Sequence, residues 1–319
     1  MRVLVIGGTR FIGVYLTKQL VAQGHEVTLL NRGNHPAPVD GVESIVCDRT
    51  NPTALKAALT GKSFDAIFDN NGRELAHTQP LADLFKDSLQ HFIYVSSAGV
   101  YAKSDQMPHA EGDPVDPNSR HKGKFHTEEY LKEQGIPFTA IRPVYIYGPQ
   151  NYNPLEQWFF DRIVRVGEAS PKETRPIPIP GSGMALTHLG HCQDLATAMV
   201  SVLGNPKAIG QIYNISGDKA VTFDGLAKAA AVAVGKDPDA LKIVHYNPKD
   251  FDFGKQKAFP MRVQHFFADI SKAKSDLNWQ PQFSLIEGLK DAYRNDYLAN
   301  GLDKAELDFS LDEQIVSQS

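Results

Sequence analysis

The densest group of side chains able to do chemistry is a basic cluster near the middle of the chain. Arg120, His121, Lys122 and Lys124 stand close together, and His126 follows them. Contacts from Arg and Lys to phosphate supply most of the affinity of proteins for nucleic acid. We therefore predict that Arg120, His121, Lys122 and Lys124 bind RNA or another anion. A solvated helix start is the alternative interpretation.

A second group of residues lies at the amino end, where glycines follow the apolar run Arg2–Ile6. Gly7 can make a tight turn, and Gly13 can let the next helix pack close to the strand. The helix N-terminus then offers N–H groups and partial positive charge to a phosphate. This predicts the start of a dinucleotide-binding unit, although Arg10 stands where its middle glycine belongs. The Arg10 side chain would either hold a pyrophosphate or block it.

The ends of the next two predicted strands bear on the choice of cofactor. Asn31 and Arg32 follow the second strand, where an NAD site usually has an acidic residue for the ribose hydroxyls. Arginine suits a 2′-phosphate, so NADP is favoured over NAD if a dinucleotide binds; a solvated loop arginine is the alternative. The candidate cofactor-binding residues are Gly7, Thr9, Arg10, Phe11, Ile12, Gly13, Arg32 and Asp48.

Strands and helices alternate through the first 150 residues. Mostly apolar runs predict strands at Arg2–Ile6, Glu26–Leu30, Val42–Asp48, Phe64–Asp69, His91–Ser97 and Phe138–Pro143. The stretches between them predict helices at Val14–Val21, Thr53–Leu59, Leu81–Leu89 and from about Gly123. This pattern predicts an α/β fold with a Rossmann-like, doubly wound parallel sheet, whose ligands lie at the carboxyl ends of the strands. One crevice should then collect Gly7, Arg10, Arg32, Asp48, Asn70 and Ser97.

The alternation weakens after residue 150. We expect a Rossmann-like dinucleotide-binding domain at 1–150 and a smaller α+β lobe for substrate or ligand at 151–319, with elements that can interleave. In that lobe we predict a helix at Trp158–Val166, an irregular or edge segment at Pro176–Gly183, a strand at Ile212–Ser216 and a helix at Phe223–Val234.

Composition limits the class of protein. The chain has 319 residues, 42% of them hydrophobic, and a net charge of −4, which argues against strong non-specific attraction to nucleic acid without excluding a local basic site. Cys47 and Cys192 give neither a disulfide framework nor a metal-ligand spacing, which favours a reducing compartment. No run approaches the length of a membrane span, and the first strand starts at residue 2. We expect a cytoplasmic protein without a leader peptide or membrane contact.

Three further groups of residues are weaker candidates for a site. In the first group, phenylalanines alternate with cations and could stack on unpaired bases. A place in the core of the smaller lobe, with exposed lysines beside it, is the favoured interpretation. The residues are Phe251, Phe253, Phe259, Phe266 and Phe267, with Lys249, Lys255, Lys257 and Arg262. No metal site is predicted. The spacing of His109, Glu111, Asp113 and Asp116 matches no known pattern of metal ligands, and a solvated loop is the better interpretation. Structural roles are expected for His188 and His191.

Motifs along nearly the whole chain resemble the extended short-chain dehydrogenase/reductase superfamily, in its epimerase and dehydratase branch. They are Gly-Gly-Thr-Arg-Phe-Ile-Gly at 7–13, Ser-Ser-Ala-Gly-Val-Tyr at 96–101, Arg142-Pro143, Tyr147-Gly148-Pro149, Asp194-Leu195-Ala196 and Trp279-Gln280-Pro281. The resemblance implies the same fold, a bound NADP or NAD, and a catalytic serine, tyrosine base and lysine. A nearby positive charge lowers the pKa of such a tyrosine so that it can accept a proton.

The catalytic set is incomplete in this chain. Ser97 and Lys124 match the serine and lysine positions, but Arg120 stands where the resemblance places the tyrosine. Arginine cannot act as a base at neutral pH, so the usual hydride-transfer machinery is expected to be absent. A tyrosine supplied from elsewhere, such as Tyr101 or Tyr145, is the alternative.

A narrower resemblance, to the b-type chloroplast stem-loop-binding proteins, accounts for these departures. The matching runs are 119–124, 142–149, 151–154, 156–160, 221–228, 244–255 and 264–268. The resemblance implies RNA binding, association with ribosomal or transcript-containing complexes, and endonucleolytic cleavage of stem-loops. Plant members act in plastids, so the chain resembles a cyanobacterial counterpart or a processed form in the plastid stroma.

Three functional hypotheses follow. The first is an RNA-binding or RNA-processing protein on an epimerase-like fold with a degraded Tyr-x-x-x-Lys site. The second is an NADP-dependent epimerase, dehydratase or reductase acting on a nucleotide-linked sugar. The third is a scaffold that binds a dinucleotide as a structural or redox-sensing ligand. By analogy with the superfamily, a homodimer is expected.

Overall fold

The computed structural model describes residues 1–164 and 175–318. These residues form two compact units, each built from three stretches of the chain. The first unit contains Met1–Ile146, Cys192–Ser216 and Ala268–Pro281, and the second contains Tyr147–His191, Gly217–Phe267 and Gln282–Ser319. The chain first passes from one unit to the other close to residue 150, and it then returns twice to the first unit.

Strands and helices alternate up to residue 143, except for two consecutive strands between residues 26 and 46. In chain order they are β1 (Arg2–Ile6), α1 (Ile12–Ala22), β2 (Glu26–Asn31), β3 (Glu43–Val46), α2 (Pro52–Leu59), β4 (Ala66–Asp69), α3 (Leu75–Phe85), β5 (His91–Val95), α4 (Lys122–Glu133) and β6 (Phe138–Pro143). The six predicted strands are thus confirmed, with ends that differ by a few residues. The helix predicted at Leu81–Leu89 instead begins at Leu75 and ends at Phe85, and it contains Pro80.

Shorter elements follow in the rest of the chain. They are β7 (Tyr145–Tyr147), α5 (Gln157–Val164), β8 (Ile177–Pro180), β9 (Leu186–Thr187), β10 (Leu189–His191), α6 (Cys192–Val202), β11 (Gln211–Ile215), β12 (Val221–Thr222), α7 (Phe223–Ala233), β13 (Ile243–Tyr246), α8 (Ser271–Leu277), α9 (Leu285–Ala292) and α10 (Ser310–Val316). The helix predicted at Trp158–Val166 is present as α5, and its last two predicted residues lie outside the described residues.

The first unit is organised around one seven-stranded sheet in the order β11-β6-β5-β4-β1-β2-β3. Every neighbouring pair is parallel, so all seven carboxyl ends lie at the same edge. The strand predicted at Ile212–Ser216 is β11, which pairs with β6 and belongs to the first unit. The predicted doubly wound parallel sheet is therefore confirmed.

Two apolar layers cover the sheet because successive side chains of a strand point to opposite faces. Val3 and Val5 of β1 pack with residues of α1, α6 and α8, including Trp279 just beyond α8. Leu4 and Ile6 pack on the other side with residues of α2, α3 and α4. The two layers fix β1, and with it the turn that follows, at the centre of the sheet.

The second unit contains helices and short two-stranded pairings. β8 pairs in parallel with β13, and β9 pairs antiparallel with β12. The sequence of β8 is Ile-Pro-Ile-Pro, and a two-stranded pairing tolerates it because each strand has an open edge where a missing N–H is harmless. The edge interpretation of this segment is therefore confirmed. Among the helices in the described residues, none combines the length and apolar character needed to cross a membrane.

Candidate nucleotide and RNA site

The glycine turn after β1 has the close packing that the sequence predicts. Gly7 has a φ of +83°, a conformation that L side chains rarely adopt. A Cβ placed on Gly13 would lie 2.1 Å from the Gly7 carbonyl oxygen. The Gly13 N–H donates to Arg10 O at 3.0 Å. The turn therefore requires glycine at both positions, and α1 begins directly against the end of β1.

The other predicted residues of this turn differ in exposure. Arg10 is exposed, Thr9 and Ile12 are half-buried, and Phe11 is buried. Phe11 has a φ of +52°, which is costly for a residue with a Cβ, by roughly 1–3 kcal/mol. The packing of the turn thus holds a strained backbone at the start of α1, a feature that the sequence did not predict.

Polar groups without partners lie at the same edge of the sheet. Asn70 and Ser96 directly follow β4 and β5, and within the described residues Asn70 Oδ1 and Ser96 Oγ are buried with no hydrogen-bond partner. Asn70 Nδ2 donates to Gly7 O at 3.2 Å. Buried polar atoms are nearly always hydrogen bonded. Unsatisfied acceptors and hydroxyls at this edge fit a polar ligand such as a dinucleotide.

The structure places Arg32 and Asp48 after the neighbouring strands, β2 and β3. Both side chains are exposed. The Asp48 carboxylate accepts hydrogen bonds from Thr50 N at 2.9 Å and Thr50 Oγ1 at 2.8 Å. These bonds, with a further contribution from the charge of Arg32, lower the pKa of Asp48. Asp48 therefore organises the turn before α2, and Arg32 remains accessible to a ligand.

Sequence reasoning missed a buried ion pair at this edge. Arg49 donates through both terminal nitrogens to the carboxylate of Asp69, which is 0% exposed. Burial alone would raise the pKa of Asp69, but the Arg49 charge and hydrogen bonds from Arg49 and Thr78 outweigh it and lower that pKa. The arginine follows a loop aspartate in sequence, and no periodicity marks it as buried. Only the tertiary structure brings it to Asp69.

The predicted catalytic positions have mostly internal partners. Ser97 Oγ accepts a hydrogen bond from Gly99 N at 3.0 Å. Lys124 Nζ donates to Val95 O at 2.5 Å and lies 5.2 Å from the centroid of the Tyr94 ring. Burial lowers the pKa of Lys124 to about 8. The Lys124 ammonium is thus directed toward the end of β5.

The remaining members of the basic cluster lie nearer to solvent. Arg120 and Lys122 are exposed, and His121 is half-buried. Arg120 Nε donates to His121 Nε2 at 3.0 Å. The His121 ring lies against Gly99, where a Cβ would be 2.4 Å from His121 Cδ2. The structure therefore separates the exposed pair Arg120 and Lys122 from the half-buried Lys124, whose ammonium is bonded to Val95 O.

Tyr101 and Tyr145 are the two alternatives for the tyrosine base. Tyr101 is buried, and its hydroxyl donates to Asn214 Oδ1 at 2.7 Å. Burial raises the pKa of Tyr101 to about 12, the opposite of what a proton acceptor needs. Tyr145 lies half-buried at the start of β7. The surroundings of Tyr101 thus favour a structural role over that of a proton acceptor.

The loop expected to be solvated is instead packed against the sheet. His109 is 4% exposed and stacks on Tyr101 with ring centroids 4.8 Å apart. Glu111 Oε1 accepts from Asn214 N at 2.9 Å. The solvated-loop interpretation is thus wrong for these residues, because β11 supplies their partners from a distant part of the sequence. In the described residues no three His, Cys, Asp or Glu side chains are grouped to hold a metal.

The aromatic segment and the two other histidines belong to the second unit. Phe259 and Phe266 are buried, and Phe251 and Phe253 stack on each other and pack against Tyr246. The neighbouring side chains of Lys249, Lys255 and Lys257 are exposed. This arrangement matches the core interpretation. The buried rings of His188 and His191 make hydrogen bonds to Gly217 O at 2.8 Å and Asp291 Oδ2 at 3.1 Å, respectively.

Comparison with known proteins gives the same fold and a close relative. The NAD dependent epimerase/dehydratase family model matches residues 3–216. The chain is 50% identical over 332 residues to the chloroplast stem-loop binding protein of 41 kDa b from Arabidopsis thaliana. The alignment covers 99% of this chain and 84% of that protein. It is 24% identical to a putative UDP-glucose 4-epimerase of Methanocaldococcus jannaschii, over 90% of this chain and 96% of that one.

Solved structures share the fold at lower identity. UDP-glucose 4-epimerase of Thermotoga maritima, determined with UDP-glucose, has a TM-score of 0.75 and 20% identity over 95% of this chain and 100% of that one. The dTDP-glucose 4,6-dehydratase of Streptomyces venezuelae, determined with NAD, has a TM-score of 0.73 and 24% identity over 94% and 98%. The family model and the 50% identical Arabidopsis relative show that the chain belongs to the NAD-dependent epimerase/dehydratase family and, within it, to the b-type chloroplast stem-loop-binding proteins.

Proposed function

We propose that this chain is an RNA-binding protein that uses an epimerase-like fold with a degraded catalytic set. The observation that carries the proposal is the exposed cation Arg120, at the position of the superfamily tyrosine, beside exposed Lys122. Exposed arginine and lysine side chains bind phosphates. The name of the Arabidopsis relative, a stem-loop binding protein, supports RNA as the partner. The setting that we propose is a ribonucleoprotein complex, in the plastid stroma for a processed plant form.

The test is binding of a stem-loop RNA at several salt concentrations by the wild type and an Arg120→Ala/Lys122→Ala variant. Lys124 is left unchanged because its ammonium has an internal partner. Each lost phosphate contact reduces the slope of log K against log salt by roughly 0.7–0.9. We expect the double variant to bind more weakly, and we expect the magnitude of its slope of log K against log salt to be smaller by about 1.4–1.8.

A matched control removes two exposed lysines elsewhere in the first unit, Lys86→Ala/Lys132→Ala. It changes the net charge equally, so it should keep most of the affinity and slope. Equal losses in both double variants would mean that only net charge matters, and the Arg120 surface would be rejected. Product length in the same samples measures whether the RNA is cleaved or only bound.

We also propose that the first unit retains a dinucleotide site, with NADP preferred over NAD. The close-packed glycine turn and the unsatisfied Asn70 and Ser96 atoms support a polar ligand there. Gly7, Gly13 and Arg32 would bind the ligand, and a nicotinamide cofactor would supply hydride chemistry when bound. Tyr101 is buried and hydrogen bonded, which makes it a poor proton acceptor, so the epimerase or reductase alternative is less favoured.

Calorimetry with NADP and NAD tests this second proposal. Arg32→Ala should weaken NADP binding and leave NAD binding nearly unchanged, because only NADP has a 2′-phosphate. Lys18→Ala, which removes an exposed cation from the middle of α1, is the control. Equal affinity of the wild type for both dinucleotides would overturn the preference, and no binding of either would overturn the site.

A further inference from the structure

A carboxamide side chain lies directly over the first glycine of the turn. Asn71 follows β4 by two residues, and its side chain is exposed. Asn71 Nδ2 lies 2.9 Å from the position that a Cβ of Gly7 would occupy. The hydrogen bond that links Asn71 to Arg49 uses the other end of the carboxamide, Oδ1. The group closest to the position of a Gly7 Cβ is thus a hydrogen-bond donor.

The orientation of this carboxamide follows from its other neighbour. Arg49 Nη1 donates to Asn71 Oδ1 at 2.8 Å. A guanidinium has donors and no acceptor, so the carbonyl end of Asn71 must face Arg49. The NH2 end must then face Gly7. The usual ambiguity of an amide side chain is removed here by the chemistry of its partner.

Arg49 is itself held firmly in place. Its guanidinium makes the two-pronged contact with buried Asp69, and Arg49 Nη2 also donates to His77 O at 2.6 Å. The Asp69 carboxylate is fixed in turn by Thr78 Oγ1 at 2.6 Å and Gly72 N at 2.9 Å. Two-pronged arginine–carboxylate contacts add geometric specificity as well as energy. Asp69 and Arg49 therefore form a rigid support for the Asn71 side chain.

We propose that Asn71 donates a hydrogen bond from its NH2 group to the diphosphate of a dinucleotide at the Gly7 turn, with Arg49 as its positioning residue. This inference rests on the retained dinucleotide site proposed above. The amino end of α1 at Ile12 brings the partial positive charge of a helix N-terminus to the same region, and Asn71 adds a side-chain donor from the loop after β4. The ligand class is a nucleotide with two linked phosphates.

The test is calorimetry with NADP and NAD on Asn71→Asp and Asn71→Ala variants. Asn71→Asp keeps an oxygen for Arg49 and replaces the NH2 with an anionic oxygen that repels phosphate. We expect Asn71→Asp to lower the affinity for both dinucleotides at least tenfold, and Asn71→Ala to lower it several-fold. Gln90→Glu, an exposed amide-to-acid change just before the amino end of β5, is the charge-matched control and should bind like the wild type.

The outcomes separate the two proposals. If the wild type binds and Asn71→Asp binds equally well, the Asn71 contact is overturned while the dinucleotide site stands. If the wild type binds neither dinucleotide, the site itself fails, and the Asn71 contact fails with it. Arg49→Lys tests whether Arg49 positions Asn71, since lysine keeps the positive charge near Asp69 but cannot make the two-pronged contact of a guanidinium. Arg49→Lys should weaken dinucleotide binding when Asn71 is present, and it should have much less effect in the Asn71→Ala background.

Discussion

At the scale of single residues, the site depends on side chains and glycines that tolerate little change. Gly13 has the Gly7 carbonyl where its own Cβ would be. Asp69 is fully buried and needs the opposite charge of Arg49. Lys124 directs its ammonium to Val95 O. Each of these residues is restricted by a specific neighbour, so the effect of substitution can be predicted individually.

Gly13→Ala should destabilise the protein by about 1–3 kcal/mol or more, because the new methyl group would overlap the backbone at Gly7. Gly112→Ala is the control, since nothing lies within 4 Å of its hypothetical Cβ. That variant should stay within about 0.5 kcal/mol of the wild type. The free energy of unfolding, measured in urea, decides the matter. Similar values for the two variants would contradict the close packing of the turn.

We predict that His91 lowers the stability of the folded protein in mild acid. It is 2% exposed, and burial lowers its pKa to about 4. Between pH 6.5 and 4 the unfolded chain binds a proton that the folded chain does not, so stability falls as the pH falls. From pH 7 to pH 5 this group should remove about 2 kcal/mol from the free energy of unfolding.

His91→Gln should remove that part of the pH dependence and keep a donor for Thr139 Oγ1, which contacts His91 Nε2. Urea unfolding at pH 7 and pH 5 measures it, with exposed His126→Gln as the control. If the wild type and both variants lose the same free energy between the two pH values, the assignment to His91 is wrong.

At the scale of elements, a buried ion pair joins α4 to β6. Arg142 and Glu128 are 2% and 1% exposed, and Arg142 Nε donates to Glu128 Oε1 at 3.0 Å. Burial alone would lower the pKa of Arg142, but the hydrogen bond and charge of Glu128 outweigh it and raise that pKa. Because α4 also carries Lys122 and Lys124, this pair fixes the basic cluster relative to the sheet.

Glu128→Gln should destabilise the protein by about 3–5 kcal/mol, since it leaves a buried guanidinium without its counter-charge. Lys62→Met breaks the more exposed Lys62–Glu43 pair and should cost at most about 1 kcal/mol. Denaturant unfolding of both variants at pH 7 gives the comparison. A cost for Glu128→Gln as small as that for Lys62→Met would show that the pair does not anchor α4.

At the scale of the whole molecule, the first unit depends on segments far along the chain. β11 pairs with β6, and α6 packs against α1 with Leu195 and Met199 in the apolar layer. Trp279 belongs to the same layer. A protein cut after residue 150 would lose all of these contacts and expose the edge of β6.

A fragment of residues 1–150 should therefore show no cooperative unfolding, whereas the full chain should. Far-ultraviolet circular dichroism during thermal and urea unfolding tests this expectation. A sigmoidal urea transition in the fragment, with a slope appropriate to its size, would mean that the later segments are dispensable for the first unit.

The sequence by itself determined the parallel sheet, the glycine turn at its centre and the basic cluster before α4. These features follow from local patterns: apolar runs of strand length, glycines at fixed spacing, and adjacent charges. The family resemblance also followed from motifs read directly in the chain, and the comparisons confirm it. A local pattern is enough wherever a residue's role depends on its near neighbours in sequence.

Only the tertiary structure decided which polar side chains meet. Arg49 pairs with Asp69, Arg142 with Glu128, and Glu111 with the backbone of Asn214. The last pairing joins residues that β11 brings together over a long sequence separation. Neither periodicity nor composition encodes such partners, because they depend on strand order and on how helices cover the sheet. The same long-range geometry separates the exposed Arg120 from the half-buried Lys124 and orients Asn71 over Gly7.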